Sequence, residues 1–349
     1  MTENRFETEL IQYITTGTIS NPKCLEGIPE FTAIGLGNRV VKTKLWKYEP
    51  DIKTTPQLWD NFKKILEQHN QNVLENPMSD AEFNQVKKII SDLHTPYEAG
   101  QFLYGLNGVS QIEVDLDDGR HVFLTVFDQK QIGAGDTVYQ VVNQIERPAV
   151  INGKMNRRFD TTLLINGLPI IQIEEKRDTH DVNEALNQMH QYIDEGQYGD
   201  IFSMLQILIA ITPNNVKYMA NTTSERFNKD FAFNWQREDN TIVRDWKEFA
   251  DSMLSIPMAH QMATNYMILD GTPNKQSLKV MRPYQVYATQ AVIEGLKNVD
   301  FEFGDKKVGY IWHTTGSGKT ITSFKTAWLA SRMPKVDKVV FVVDRIQLT

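Results

Sequence analysis

The chain has 349 residues, 41% of them hydrophobic and 10% aromatic; one core rarely grows past roughly 250–300 residues, so two domains are expected. A formal net charge of −7 excludes a generally basic nucleic-acid binder, although local patches can still contact DNA and nuclease metal sites themselves need carboxylates. The single cysteine, Cys24, excludes an intrachain disulfide framework and fits a reducing cytoplasm; no stretch approaches the roughly 20 apolar residues of a membrane span, and the polar start Met1-Thr2-Glu3-Asn4 is unlike a signal peptide.

Residues 3–15 read as a helix with the apolar stripe Phe6, Leu10, Ile11 and Ile14. Residues 55–95 read as two helices broken at Asn76-Pro77, the second opened by a capping box of Ser79 and Glu82. Gly100–Gly119 reads as loops and short strands, Val122–Phe127 as a strand, and Asp136–Arg147 as either strand or helix. A hairpin over 158–176 precedes a helix from about Asn183 to Glu195, which Gly196 stops. Leu205–Thr212 reads as a buried strand, with Val216–Ala220 pairing back on it; Trp246, Phe249, Met253 and Leu254 mark a helix that ends before Pro257. These elements form a first domain, residues 1–256, and the Pro-, Gly- and polar-rich stretch 257–281 reads as a linker. In 282–349 the grammar changes: a helix at Tyr284–Lys297, a strand at Val308–Trp312, a Gly-rich turn, a helix at Thr320–Arg332 and a strand at Lys338–Val343. That order implies a parallel α/β sheet that needs further strands, so the second domain is expected to be the truncated start of a longer one.

The hairpin carries the chemistry. Asp160 is followed fourteen positions later by Glu174, then Glu175 and Lys176. Phosphodiester cleavage needs carboxylates that hold Mg²⁺ against the scissile phosphate and a cation near the attacking water and the developing charge. Asp160, Glu174 and Lys176 are that set if the register permits. A two-residue Asn166-Gly167 turn pairs Asp160 with Ile173. A three-residue loop, Asn166-Gly167-Leu168, pairs Ile165 with Pro169 and Asp160 with Glu174, and sorts the polar residues Asp160, Thr162, Gln172, Glu174 and Lys176 onto one face. The second register is the expected one. In the next helix Gln188 and Tyr192 lie four apart and share a face, where they could position a phosphate or order Lys176. Arg157, Arg158, Lys176 and Arg177 could steer a DNA backbone. The histidines show no ligand spacing.

In the second domain, His313-Thr314-Thr315-Gly316-Ser317-Gly318-Lys319-Thr320 matches the phosphate-loop pattern except that His313 replaces the first glycine. Backbone N–H groups of Thr315, Gly316, Ser317 and Gly318 would cradle the phosphates of ATP. Lys319 would reach the β/γ-phosphates and Thr320 would bind the nucleotide's Mg²⁺.

Several resemblances follow from these motifs. Arg282-Pro283-Tyr284-Gln285 resembles the adenine-reading motif of superfamily 2 helicases and translocases, with Gln285 as the reader, and Asp344-Arg345-x-x-Leu348 resembles a later motif of that family. Asp160, Glu174-x-Lys176 and Gln188-x-x-x-Tyr192 resemble the RecB-type branch of the Asp…Glu-x-Lys nucleases. The whole run Arg158-Phe159-Asp160 … Asn166-Gly167-Leu168-Pro169 … Gln172-Ile173-Glu174-x-Lys176 resembles the restriction (R) subunit of type I restriction–modification enzymes. That resemblance implies an α/β fold: a mixed-sheet nuclease domain with flanking helices, then the start of a RecA-like motor lobe. It also implies ATP and Mg²⁺ as cofactors, double-stranded DNA as substrate, and the methylation and specificity subunits as partners in a bacterial or archaeal cytoplasm. His313 is then a family variant, and a first-helix glutamate, here Glu7, completes the metal site. Glu175 stands where the family more often has an apolar residue, which leaves open which acid binds metal. Another nuclease–helicase fusion, or an assembly module with an inactive nuclease, remains as an alternative.

Overall fold

A computed structural model of the chain describes residues 2–16, 45–133, 135–300, 303–304 and 307–342. Cys24 and the Asp344-Arg345 motif lie outside them. Helix α1 (Glu3–Thr16) buries Phe6, Glu7, Leu10, Ile11 and Ile14, so the apolar stripe read from sequence also carries an acid inward. Strand β1 (Lys47–Tyr48) is short; α2 (Thr55–His69) and α3 (Asp80–Ser91) follow, each opened by a capping box, Thr54 with Gln57 and Ser79 with Glu82. Part of the stretch expected to be loops and short strands is the helix α4 (Pro96–Tyr104), again capped, by Thr95 with Glu98. It leads into the hairpin of β2 (Val109–Asp115) and β3 (His121–Asp128).

The ambiguous stretch after Asp136 resolves as β4 (Tyr139–Arg147), which pairs with β5 (Arg157–Ile165). Strand β6 (Leu168–Glu175) turns back on β5, and α5 (Val182–Asp194) crosses over to β7 (Ile207–Thr212), parallel to β6; β8 (Asn215–Ala220) closes the series. The result is a mixed six-stranded sheet in the order β1-β4-β5-β6-β7-β8. Every residue of β6 and β7 is buried, as expected of central strands covered on both faces. Phe159, Leu163, Ile171, Ile173 and Ile209 are all fully enclosed, and each such side chain contributes about 1.5–3 kcal/mol of burial.

The expected three-residue loop in the β5–β6 hairpin is not what forms. Ile165 pairs with Leu168 and Leu164 with Pro169 across a two-residue turn, with Asn166 and Gly167 at φ +51° and +80°. This is the mirror-image turn that suits the right-handed strand twist and that Asn-Gly favours. A bulge between Leu163 and Leu164 then shifts the ladder, so that Thr162 pairs with Gln172 and Thr161 with Ile173. The bulge therefore restores the register that the longer loop was expected to supply, and the next step of the ladder sets Asp160 opposite Glu174.

Residues 257–281, expected as a linker, carry α7 (Met258–Ala263) and the hairpin of β9 (Met267–Asp270) and β10 (Ser277–Val280). They follow the short helix α6 (Trp246–Phe249), which runs on as a wider turn over Ala250–Leu254. Met258, Ala259, Met262, Met267 and Leu278 are buried, and the first compact unit extends through them to Val280. Polar composition concealed an amphipathic pattern.

The second unit comprises Gln236–Thr241 and the chain from Met281 onward. Its described helices are α8 (Pro283–Asn298) and α9 (Lys319–Ala330). The strands expected at Val308–Trp312 and Lys338–Val343 are absent among the described residues. Tyr310, Trp312, Val340 and Val342 are largely exposed, so among the described residues no strand or helix covers these segments, and an extended ladder there has no partner. No described helix is long and apolar enough to cross a membrane.

Candidate functional site

Asp160 sits where the sheet opens. On one side the β4–β5 ladder skips Gln144, which has φ +56°, opposite Asp160. On the other, Asp160 Oδ2 accepts from the Glu175 backbone N at 3.0 Å. Irregular pairing of this kind re-aims side chains beside functional sites. Glu174 is fully enclosed: its Oε1 accepts from Lys176 Nζ at 3.0 Å, while its Oε2 has no hydrogen-bond partner. Lys176 Nζ also donates to the Glu175 carbonyl at 2.8 Å and lies 3.7 Å from Glu3 of α1. The structure thus brings Asp160, Glu174 and Lys176 together.

Successive strand residues point to opposite faces, so Glu175 takes the other face of β6 from Glu174 and joins the acids without contacting Lys176 through its side chain. After burial, the charges that bear on Glu175 are those of Asp160 and then Glu7; Glu7 Oε1 accepts from Asn143 Nδ2 at 2.9 Å and Gln144 Nε2 at 2.8 Å. Both Glu175 oxygens are buried without hydrogen-bond partners. Glu7 is 6% exposed, not solvated, and its charge bears on both Asp160 and Glu175.

The electrostatics record four acids and too few cations. Burial, then the Asp160 charge, pushes the Glu174 carboxyl well above the usual range, with Lys176 opposing. Burial, Asp160 and Glu7 do the same to Glu175. Burial also raises Asp160, against the Glu175 amide bond and Lys176. For Lys176 burial works downward, but the Glu174 and Asp160 carboxylates outweigh it and hold the ammonium above the ordinary lysine range.

A divalent cation fits this donor set, because it would neutralise repelling carboxylates and engage the unpartnered Glu174 Oε2. Among the described residues no three Asp, Glu, His or Cys groups form a ready cage for a metal ion. Mg²⁺ asks for less, since one or two carboxylates with waters and phosphate oxygens suffice.

On α5, Gln188 Nε2 donates to the Tyr192 hydroxyl, which donates to the Arg158 carbonyl at 3.5 Å. Both residues therefore stand beside β5, and burial followed by the Glu174 charge raises the Tyr192 hydroxyl. Among the basic residues, Arg157 is committed to Glu195 by two bonds of 2.6 Å and Lys176 to Glu174, whereas Arg158 and Arg177 are exposed. His260, with Nδ1 2.8 Å from the Tyr139 hydroxyl, is a core histidine that burial pushes down to about 3.

In the second unit, Gly316 and Gly318 take φ +78° and +80°, and α9 starts at Lys319. Thr315, Gly316, Lys319 and Thr320 are exposed. Ser317 Oγ donates to the Thr314 carbonyl at 2.7 Å, so the 3.0 Å contact with His313 Nδ1 is a bond donated by the imidazole. His313 thus braces the loop from the position of the missing glycine. Gln285 is brought onto the loop as well. Its Oε1 accepts from Arg282 N at 2.9 Å and its Nε2 donates to the Ser317 carbonyl at 3.2 Å, so both ends of the amide are engaged within this unit and reading a base would exchange those bonds.

These two constructions, a buried acid–acid–lysine cluster on a mixed sheet and a Gly-rich loop opening a helix, define a protein that couples a nuclease-like domain to an ATPase-like one. The profile of the type I restriction enzyme R protein N terminus matches residues 36–227, more than half of the chain, and the chain belongs to that family. A second profile, that of the SWI2/SNF2 ATPase, matches residues 284–349. The chain is 35% identical over 298 residues to the endonuclease subunit of the type I restriction enzyme SauMSSORF170P of Staphylococcus aureus, covering 85% of this chain and 30% of that protein. It is 35% identical over 185 residues to the EcoprrI endonuclease subunit of Escherichia coli, 52% of this chain and 56% of that one. A putative type I endonuclease subunit, MjaVIIIP of Methanocaldococcus jannaschii, is 27% identical over 209 residues, 54% of this chain and 18% of its own length. The chain thus spans about 30% of the length of the staphylococcal relatives it matches.

Proposed function

We propose that this chain carries the nuclease centre, and the nucleotide-binding start of the motor, of a type I restriction endonuclease subunit. The observation that carries the reading is the convergence of Asp160, Glu174 and Lys176 at the one place where the β4–β5 ladder opens. The hairpin followed by the Gln188–Tyr192 helix supports a RecB-like Asp…Glu-x-Lys domain, and the loop 313–320 supports a RecA-like superfamily 2 lobe. Double-stranded DNA is the substrate, the methylation and specificity subunits are the partners, Mg²⁺ and ATP are the cofactors, and the setting is a bacterial or archaeal cytoplasm.

Asp160 and Glu174 would hold Mg²⁺, which supplies a Lewis acid for the phosphoryl oxygen and a more acidic bound water. Glu7, braced by Asn143 and Gln144, would add to that negative site. Lys176, 3.0 Å from Glu174 Oε1, would place positive charge where the pentavalent phosphate develops negative charge. Gln188 and Tyr192 position the phosphate beside it, and exposed Arg158 and Arg177 hold the DNA backbone. In the second unit, Lys319 and Thr320 face outward to take the phosphates and their Mg²⁺.

The test is Asp160→Ala in the full-length subunit assembled with its partners. Cleavage of circular DNA should fall by at least about a hundredfold, the scale of losing one preorganised electrostatic group, while ATP hydrolysis continues. Cleavage at the parental rate would refute the assignment.

A further inference from the structure

Gln144 lies at the step where the β4–β5 ladder opens, opposite Asp160; Asn143 pairs with Thr161 on one side of the gap and Ile145 with Phe159 on the other. It keeps φ +56° although it is not a glycine. A non-glycine residue persists in that left-handed conformation only where its surroundings over-determine it, and such residues cluster at functional sites. The side chain of Gln144 reaches across to α1, where its Nε2 donates to Glu7 Oε1 at 2.8 Å. Asn143 Nδ2 donates to the same oxygen at 2.9 Å. Two neighbouring amides of β4 thus converge on one carboxylate oxygen.

The Asn143 amide is held in one sense. Its Oδ1 accepts from Lys53 Nζ and, at 2.9 Å, from the Tyr48 hydroxyl, while Lys53 Nζ also donates to the Asn143 carbonyl at 2.9 Å. An ammonium group donates and cannot accept, so the amide oxygen must face Lys53 and the amide nitrogen must face Glu7. Helix α1 is tied to the same centre one turn earlier, because Glu3 lies 3.7 Å from Lys176 Nζ and residues four apart stand on one face of a helix. Glu7 is therefore bonded to the residue that faces Asp160, and its helix is paired with the lysine that bonds Glu174. Both bonds from β4 fall on Glu7 Oε1, and Oε2 takes part in neither.

We propose that Asn143 and Gln144 are positioning residues of the nuclease centre: their two amides hold the Glu7 carboxylate by one oxygen, so that it serves as a third acid for the cation of Asp160 and Glu174. The proposal rests on the nuclease reading above. Groups that hold a ligating carboxylate from behind typically change metal affinity or activity by about 10–100-fold when removed. Gln144→Gly deletes the amide and adopts the left-handed backbone without strain, so the opening of the ladder is kept. Gln144→Asn also tolerates that backbone, and its amide is one methylene short of Glu7.

In the full-length protein without nucleotide, calorimetric titration with Mn²⁺ should show the Kd of the nuclease site raised about tenfold in both variants. Glu7→Gln should weaken Mn²⁺ at least as much, and adding Gln144→Gly to Glu7→Gln should weaken it no further, because the amide acts through Glu7. Asp160→Ala is measured alongside in DNA cleavage. Parental Mn²⁺ affinity in Gln144→Gly and Gln144→Asn, with Asp160→Ala inactive, overturns the role of the amides alone. Parental Mn²⁺ affinity in Glu7→Gln overturns it as well, by removing Glu7 from the site. A second loss of about tenfold when Gln144→Gly is added to Glu7→Gln assigns Gln144 to the shape of the ladder and also overturns it. Cleavage by Asp160→Ala at the parental rate overturns the nuclease reading, and this proposal with it.

Discussion

The two candidate sites are built in opposite ways. The Gly-rich loop is contiguous in sequence, and the groups that would meet a ligand, Thr315, Gly316, Lys319 and Thr320, are exposed. The acid cluster is assembled from α1, β5 and β6, and three of its four carboxylates are almost entirely enclosed: Glu7, Glu174 and Glu175 are 6%, 0% and 0% exposed. A local site can be read directly from spacing, because the turn and the helix start are set by neighbours in the chain. A tertiary site depends on register, and one shifted pair would move every side chain to the other face. The contrast also has an energetic side. The loop leaves its one cation, Lys319, in solvent, whereas the cluster holds its carboxyl groups away from water, a cost that folds often keep at functional sites.

The largest effect that separates the sites is on nucleotide. Lys319→Ala in the full-length protein should abolish ATP-driven translocation, read by displacement of a DNA triplex, while circular dichroism and the Tm of the first unit stay at the parental values. Translocation that survives would break the comparison by removing the loop from function.

A smaller effect separates their surroundings. Gly167 and Gly316 both have positive φ, at +80° and +78°. A Cβ on Gly167 would meet the Phe62 Cα at 2.9 Å, whereas one on Gly316 would meet nothing within 4 Å. Left-handed strain costs roughly 1–2 kcal/mol, and overpacking adds about 1–3 kcal/mol. Urea melts should therefore show Gly167→Ala destabilised by about 3 kcal/mol and Gly316→Ala by about 1 kcal/mol. Equal losses would contradict a hairpin turn seated on α2.

The smallest effect is a pH dependence confined to the first unit. His260 titrates near 3 when folded and near 6.5 when unfolded, so below about pH 6.5 the unfolded chain binds the extra proton and stability falls with pH. Between pH 7 and pH 5 the parent should lose about 2 kcal/mol relative to His260→Phe. A parallel pH profile for the two proteins would show that His260 does not stay neutral in the core.

Much of this architecture was legible in sequence because its signals are local. The boxes Ser79/Glu82 and Asn166-Gly167, the stripe of α1, and the apolar runs of β6 and β7 each declare their element. The turn length was misread because alternation of polar and apolar residues reports register but not how register is achieved; the bulge at Leu163/Leu164 achieves it with a shorter loop. The hairpin β9–β10 was hidden by Gly271, Pro273 and their polar neighbours, although Met267 and Leu278 face inward. The burial of Glu7 was not legible in the helix pattern, because Asn143 and Gln144, which receive it, come from a strand far along the chain.

The most direct test of the central claim is a crystal of the protein soaked in Mn²⁺ and measured at the manganese absorption edge. The account predicts an anomalous peak between the Asp160 and Glu174 carboxylates, on the side that Lys176 faces. No peak there at a Mn²⁺ concentration that supports DNA cleavage, or a peak held by other residues alone, would contradict it.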